Sequence, residues 1–233
     1  MALKRFYKTC TVESTGSAFG VALDGRAVRT PGKAALSLPS RPLAEAVAAE
    51  WDAQESKVQP RSMPMMQLAS TAIDRVTPNR DEVIDGIAAY SRSDLLCYRA
   101  EAPQALAERQ RTAWQPVLDW AALTYDASLT VAAGVIPVTQ PDEAVAALRN
   151  AVADSDDFTL AAMHTLTTAC GSVVLALAVR DRELEPADAF DASQVDETWQ
   201  TEQWGQDAEA EARRDRIRAE IVTAGRFLAL LRG

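Results

Sequence analysis

The sequence predicts an α+β fold, in which a small N-terminal antiparallel β domain is followed by a larger α-helical C-terminal domain. Strand-like alternation is confined to the first 38 residues, whereas apolar residues at helical spacing dominate the rest of the chain. Proline also stands repeatedly where a first helical turn tolerates it. We place a β-rich domain with its first helix at residues 1–60 and a helical domain at residues 61–233.

The N-terminal strands are predicted from alternation and turn residues. Phe6 to Val12 alternates loosely and Phe19 to Leu23 alternates cleanly. Asp24-Gly25 is typical of a tight hairpin. The turn sequence Thr30-Pro31-Gly32 then predicts a further short strand over Ala34 to Leu38.

Helices are predicted from Ser40 onwards. Ser40 and Pro42 mark the start of an amphipathic helix with apolar residues at spacing four. Further helices are expected at Pro64 to Val76, Pro78 to Arg92, Pro103 to Tyr125, Pro141 to Ala153 and Asp156 to Val179. A last helix carries one apolar stripe formed by Ile217, Ile221, Ala224, Leu228 and Leu231. Leu129 to Val138 is expected to be an extended connector or a short strand.

The negative charge of the protein comes from one segment. The chain has 24 Lys and Arg against 33 Asp and Glu, a net charge of −9, which argues against a nucleic-acid-binding protein. Ten of the acids, and no Lys, Arg or His, lie between Glu183 and Ala212; without them 23 acids face 24 bases. Aromatic and apolar residues are interleaved with the acids, so we interpret the segment as an acidic helical face rather than a disordered tail.

The sequence lacks the signals of a membrane protein, a secreted protein and the common enzymes. No apolar run approaches the roughly 18 residues of a membrane span, and no secretion signal is evident. We therefore expect a cytoplasmic protein without membrane insertion, with Cys10, Cys97 and Cys170 as buried free thiols. The single histidine, His164, is interpreted as a core or boundary residue. Because nucleotide-binding, nucleophile-elbow and zinc motifs are absent from the sequence, we predict no catalytic residue, cofactor or metal.

A series of short motifs occurs in order from about Arg5 to about Arg226. They are Arg5-Phe6-Tyr7-Lys8, Leu23-Asp24-Gly25-Arg26, Thr30-Pro31, Glu50-Trp51-Asp52-Ala53-Gln54, Pro60 with Met63-Pro64, Ala69 to Asp74, Asp94 to Arg99, Gln110 with Trp114-x-Pro116, and Asp196-Glu197-x-Trp199-Gln200-x-Glu202-x-Trp204-Gly205. In these motifs the chain resembles the assembly-chaperone family that binds the free α subunit of F1-ATP synthase.

This resemblance implies a function and a set of site residues. It implies a non-enzymatic chaperone that shields an α-subunit surface before the β subunit arrives, without nucleotide hydrolysis. It points to the acidic stretch, where the candidate partner-binding residues are Asp196, Glu197, Gln200, Glu202 and Trp204. The sequence departs from the family at Met65-Met66-Gln67, which leaves the role of Met63 to Gln67 open. Almost nothing precedes Arg5-Phe6-Tyr7-Lys8, so the chain is similar to the bacterial form.

Three functional interpretations of the acidic segment are compatible with the sequence. The leading hypothesis is that its charge orients the docking of a partner whose apolar surface is covered. The alternatives are a carboxylate-dependent hydrolase that acts on a small substrate, and a structural subunit of a larger complex. We expect at least one of Trp199 and Trp204 to be buried. The oligomeric state is open, with a monomer as the expectation.

Overall fold

The computed structural model describes residues 4–134, 136–205 and 207–232. Its strands are β1 (Cys10–Thr15), β2 (Ala18–Leu23), β3 (Arg26–Ala27), β4 (Tyr98–Arg99) and β5 (Ala132–Ala133). Its helices are α1 (Arg41–Asp52), α2 (Pro64–Thr71), α3 (Arg80–Ala88), α4 (Gln104–Tyr125), α5 (Asp142–Ala153), α6 (Asp157–Cys170), α7 (Val173–Asp181), α8 (Pro186–Ser193), α9 (Val195–Trp204) and α10 (Ala208–Leu231). The predicted α+β class is confirmed, because a small antiparallel sheet precedes a mostly helical chain.

Two compact units divide the chain. The N-terminal unit comprises the described residues of Met1–Arg80, Asp157–Ala162 and Arg226–Gly233, and the helical unit comprises those of Asp81–Asp156 and Met163–Gly225. The domain boundary after residue 60 stays a prediction. Within the described residues, none of the helices combines the length and the apolar character that a bilayer crossing requires.

The three-stranded sheet has the order β1-β2-β3, with β1 and β2 antiparallel from Cys10↔Leu23 to Thr15↔Ala18. The predicted hairpin turn is confirmed: Asp24 and Gly25 both have positive φ, 47° and 77°. The Asp24 carboxylate accepts hydrogen bonds from the amides of Lys8 and Thr9, which lowers its pKa. Because the Asp24 carboxylate accepts these two amides, they are not available for strand pairing. β1 therefore begins at Cys10, four residues after the predicted start at Phe6.

The short strand predicted over Ala34 to Leu38 does not form. Ala35 bridges Arg29, whereas Leu38 bridges Phe19. Because the two residues contact different partners, each makes a single bridge and no continuous ladder results.

Helix α1 begins as predicted, with Ser40 as the capping residue. The Ser40 hydroxyl accepts a hydrogen bond from the Leu43 amide at 3.2 Å. Further along α1, the Glu50 carboxylate accepts the Met65 and Met66 amides at 2.7 and 2.8 Å, which satisfies unpaired groups at the start of α2. Burial raises the pKa of Glu50 despite these bonds. One acid of α1 therefore fixes the start of the neighbouring helix.

Two of the predicted helices are interrupted. The chain after α2 forms one π turn at Ala72–Val76 and a 3-10 turn at Thr77–Asn79 before α3. The single helix predicted over Asp156 to Val179 is wrong, because Gly171 has a positive φ of 67° and breaks it. Ser172 then caps α7 by accepting the Leu175 amide at 3.0 Å. The extended connector is confirmed by β5, which pairs in parallel with β4.

Asp94 contributes a buried carboxylate to the core of the helical unit. Asp94 is fully buried, and its two oxygens accept the Leu96 amide at 3.1 Å and the Val174 amide at 3.2 Å. Burial outweighs these bonds and raises its pKa to about 6. Cys97 and Cys170 are buried free thiols as predicted, and burial raises the pKa of each to about 12.

Two sequence interpretations of single residues need correction. Cys10 is only half-buried, because β1 leaves part of it at the surface. His164 is exposed on α6 and is not a core or boundary residue. Its helix is apolar on the side that carries Leu160 and Met163, both fully buried, whereas His164 lies on the solvent side.

Candidate functional site

The acidic segment folds into α8, α9 and the first turns of α10. Phe190 of α8 and Val195 at the start of α9 are buried, so these two side chains anchor the segment. Gly205 follows the last residue of α9 and has a positive φ of 88°. Val195 is the only buried residue among those described in α9, and the helix therefore presents most of its surface to solvent.

The structure separates the five predicted site residues into two groups. Asp196 and Glu202 are already engaged with α4: Gln110 Nε2 donates to Asp196 Oδ1 at 2.6 Å, and the Arg109 guanidinium contacts Glu202 at 2.9 and 2.8 Å. The remaining three, Glu197, Gln200 and Trp204, are exposed. Among the described residues, the Glu197 carboxylate has no hydrogen-bond or ion-pair partner.

Gln110 fixes the position of Asp196 from within the helical unit. Its side chain is only 2% exposed. Its Oε1 accepts the Ala100 amide at 2.7 Å while its Nε2 donates to Asp196, so both ends of the amide are used. Such a satisfied buried amide holds its partners in one orientation. Asp196 is therefore held in place by α4, and Glu197 is the acid that stays available.

Arg109 binds α9 through charge and through an aromatic face. Its paired contact with Glu202 lowers the pKa of that carboxyl and raises the pKa of the guanidinium. The same guanidinium lies 5.2 Å from the centroid of the Trp199 ring. Trp199 is consequently half-buried.

The expectation that at least one of Trp199 and Trp204 is buried is wrong. Trp204 is 78% exposed, and Trp199 is covered only in part. The reason is that the buried residue described in α9, Val195, stands at its start, whereas both tryptophans lie further along the helix.

A groove of about 490 Å³ runs beside the exposed side of α9. Its lining includes Glu197, Gln200 and Trp204 from α9, with Arg213 and Arg214 from α10. Arg214 donates from Nη2 to the Thr198 hydroxyl at 2.9 Å. The groove therefore combines an exposed aromatic ring, an unpaired carboxylate and two guanidinium groups.

Sequence reasoning missed Arg109, although Gln110 stood in a quoted motif. The acidic segment contains no Lys, Arg or His, so any basic partner of its carboxylates must come from another part of the chain. This absence is the sequence signal that points to a basic residue outside the segment, such as Arg109. In the described part of the chain, His, Cys, Asp and Glu form no group of three that could hold a metal. The carboxylates of α9 are exposed or engaged by α4, and this geometry gives the hydrolase interpretation no support.

Comparison with known proteins gives consistent results at three levels. Residues 4–122 match the family described as ATP12 chaperone protein. The mitochondrial protein atp12 of Schizosaccharomyces pombe is 24% identical over 220 residues, which cover 88% of this chain and 74% of the yeast protein.

Two solved bacterial structures are similar over nearly the whole chain. The crystal structure of Atp12 from Paracoccus denitrificans is 40% identical and superposes with a TM-score of 0.95, covering 98% of both chains. The structure of an Agrobacterium tumefaciens protein is 42% identical with a TM-score of 0.92, covering 98% of this chain and 86% of the other.

Proposed function

This chain belongs to the ATP12 chaperone protein family, and from that premise we propose that it binds and shields the free α subunit of F1-ATP synthase before the β subunit pairs with it. The chaperone acts in assembly of the synthase, in the cytoplasm of a bacterial cell and as a monomer. It uses no ATP, no cofactor and no covalent chemistry.

The exposed end of α9 is the observation that carries this proposal. Tryptophan is largely buried on average, yet Trp204 is 78% exposed and lines the same groove as the unpaired Glu197. Large aromatic residues are enriched in protein interfaces and dominate their binding energy. An exposed aromatic ring next to an unpaired acid and a groove is what a chaperone needs to cover a complementary polypeptide surface.

The exposed residues of α9 and those bound by α4 have different roles in docking. Trp204 and Gln200 supply contact area, and Glu197 attracts basic groups of the partner, because complementary charge raises the association rate and selects the orientation. Asp196 and Glu202 are bound by residues of α4 and fix the orientation of α9. Release follows when the β subunit competes for the same α-subunit surface.

The first experiment measures binding of purified free α subunit to three full-length variants at low and moderate salt. Glu197→Lys is expected to slow association, with an effect that shrinks as salt rises. Trp204→Ala is expected to raise Kd by about tenfold or more, mainly through faster dissociation. Asp188→Lys makes the same charge change at an exposed residue outside the groove and is expected to leave binding unchanged.

A double variant, Asp196→Lys with Glu197→Lys, tests the whole acidic start of α9. If this variant folds normally and binds the α subunit as the wild type does, α9 takes no part in docking. Equal affinity for isolated α and β subunits would contradict the assignment of the partner. Addition of Mg-ATP is expected to leave binding unchanged and to release no phosphate; ATP-dependent release would contradict the proposed mechanism.

A further inference from the structure

The N-terminal unit contains a cavity of about 750 Å³, and no residue of α9 lines it. This volume is within the range of about 300–1,000 Å³ that is common for ligand pockets. The buried part of its lining includes the apolar side chains of Val58, Met63 and Met66, which are 6%, 2% and 8% exposed. Exposed residues such as Thr71 and Pro60 also line it, so the cavity opens to solvent.

Two buried polar atoms of this lining have no hydrogen-bond partner within the described residues. They are the indole Nε1 of Trp51 and the hydroxyl of Ser70. Ser70 is only 7% exposed, and Trp51 is fixed by an edge-to-face contact with Tyr7 at 5.7 Å. A buried donor without an acceptor costs free energy, and such groups in native proteins call for an explanation.

The mouth of the cavity carries more positive than negative charge. Arg29 and Arg75 are exposed lining residues. Asp74, the acid beside them, is engaged: its carboxylate accepts the Thr30 hydroxyl at 2.6 Å and the Gly32 amide at 2.7 Å. A ligand at this mouth therefore meets two guanidinium groups and one carboxylate, both of whose oxygens already accept hydrogen bonds.

We propose that this cavity is a second client-binding site, which takes a bulky apolar side chain of an extended polypeptide segment with an acidic residue next to it. The apolar side chain packs against Met63 and Met66. The adjacent main-chain carbonyl accepts hydrogen bonds from Trp51 Nε1 and Ser70. The neighbouring carboxylate pairs with Arg75 at the mouth, which gives the site a charge preference opposite to that of α9.

The choice of a polypeptide as the ligand rests on the membership of a chaperone family, and the site itself does not depend on α9. The test uses short peptides and reads a signal from the N-terminal unit. If no dipeptide binds the cavity, the proposal that α9 binds the α subunit is unaffected. If α9 does not bind the α subunit, the dipeptide result for the cavity is unaffected.

The experiment follows the indole N–H resonances of the full-length protein by ¹⁵N–¹H NMR, with Trp51→Phe to assign the Trp51 signal. The probes are three blocked dipeptides: acetyl-Leu-Asp-amide, acetyl-Gly-Asp-amide and acetyl-Leu-Lys-amide. We expect a saturable shift of the Trp51 signal with Leu-Asp, affinity about two- to fivefold weaker with Leu-Lys, and no saturation with Gly-Asp.

A matched pair of variants and one further variant keep the test independent of folding. Thr71→Tyr narrows the mouth from an exposed position and is expected to abolish the shift, whereas Thr11→Tyr, at an exposed threonine outside the cavity, is expected to preserve it. Ser70→Ala removes one hydrogen bond and is expected to weaken binding about three- to tenfold. The proposal is overturned if no dipeptide saturates the Trp51 signal, if Gly-Asp binds as tightly as Leu-Asp, or if Thr71→Tyr binds like the wild type.

Discussion

The buried carboxylate of Asp94 leads to a prediction about stability and pH. Its pKa is raised from the ordinary 3.8 to about 6, chiefly because burial disfavours the charged form. The folded protein therefore binds this proton at a pH at which the unfolded chain has released it. A group of this kind adds to stability as the pH falls, and its contribution is lost as the pH rises through about 6.

The size of this effect follows from the shift. A change of about two pKa units corresponds to about 3 kcal/mol over the whole window between about pH 4 and pH 6. Between pH 7 and pH 5 the expected gain is about 1 kcal/mol, since the unfolded chain is almost fully ionised over that interval. Asp94→Asn cannot titrate, so the difference in unfolding free energy between wild type and variant isolates this one group.

Urea unfolding at several pH values between 4 and 8 provides the measurement. The wild type is expected to gain stability relative to Asp94→Asn as the pH falls through about 6. Asp188→Asn makes the same substitution at an exposed position and is the matched control. A flat curve for Asp94→Asn, or one in which the wild type loses relative stability on acidification, would refute the burial argument.

Three further predictions concern packing, a buried amide and the thiols. Gly225→Ala places a new carbon 2.2 Å from the proline ring that begins α8, so we expect about 1–3 kcal/mol lower stability in urea unfolding. Gly86→Ala, with open space around it, is the control and is expected to be stabilising; equal losses would contradict the overlap. Gln110→Ala removes the hydrogen bonds to the Ala100 amide and the Asp196 carboxylate, and we expect it to lower the free energy of unfolding in urea by about 1–3 kcal/mol. An unchanged stability would contradict a positioning role for Gln110. Because the pKa values of Cys97 and Cys170 lie near 12, a thiol reagent at pH 8 is expected to label them only after unfolding; rapid labelling of the native protein would contradict this.

Local signals in the sequence were sufficient for the fold class and for most elements. The Asp24-Gly25 turn, the Ser40 cap and the helices that start after proline all depend on residues close together in the chain. Predictions failed where a local signal was weak or was overridden. Gly171 was one glycine inside a strongly apolar run, and only its left-handed backbone showed that α6 ends there.

The candidate site was predictable as a helix but not as a pattern of engaged and unengaged side chains. Asp196 meets Gln110, which is 86 residues away, and Glu202 meets Arg109, which is 93 residues away. Periodicity describes one helix at a time and carries no information about such distant partners. The sequence therefore could not tell that Glu197 is unpaired whereas its neighbour Asp196 is held.

Glu50 does not line the cavity of the N-terminal unit, but its hydrogen bonds hold a helix that does. The floor formed by Met66 and Ser70 belongs to α2, and the first turn of α2 is held by this one carboxylate from α1. Neutralising the side chain would free the main-chain amides and loosen the helix from its beginning. The shape of the cavity can thus be changed by a substitution at a residue that contacts its wall from behind, with every wall residue left unchanged.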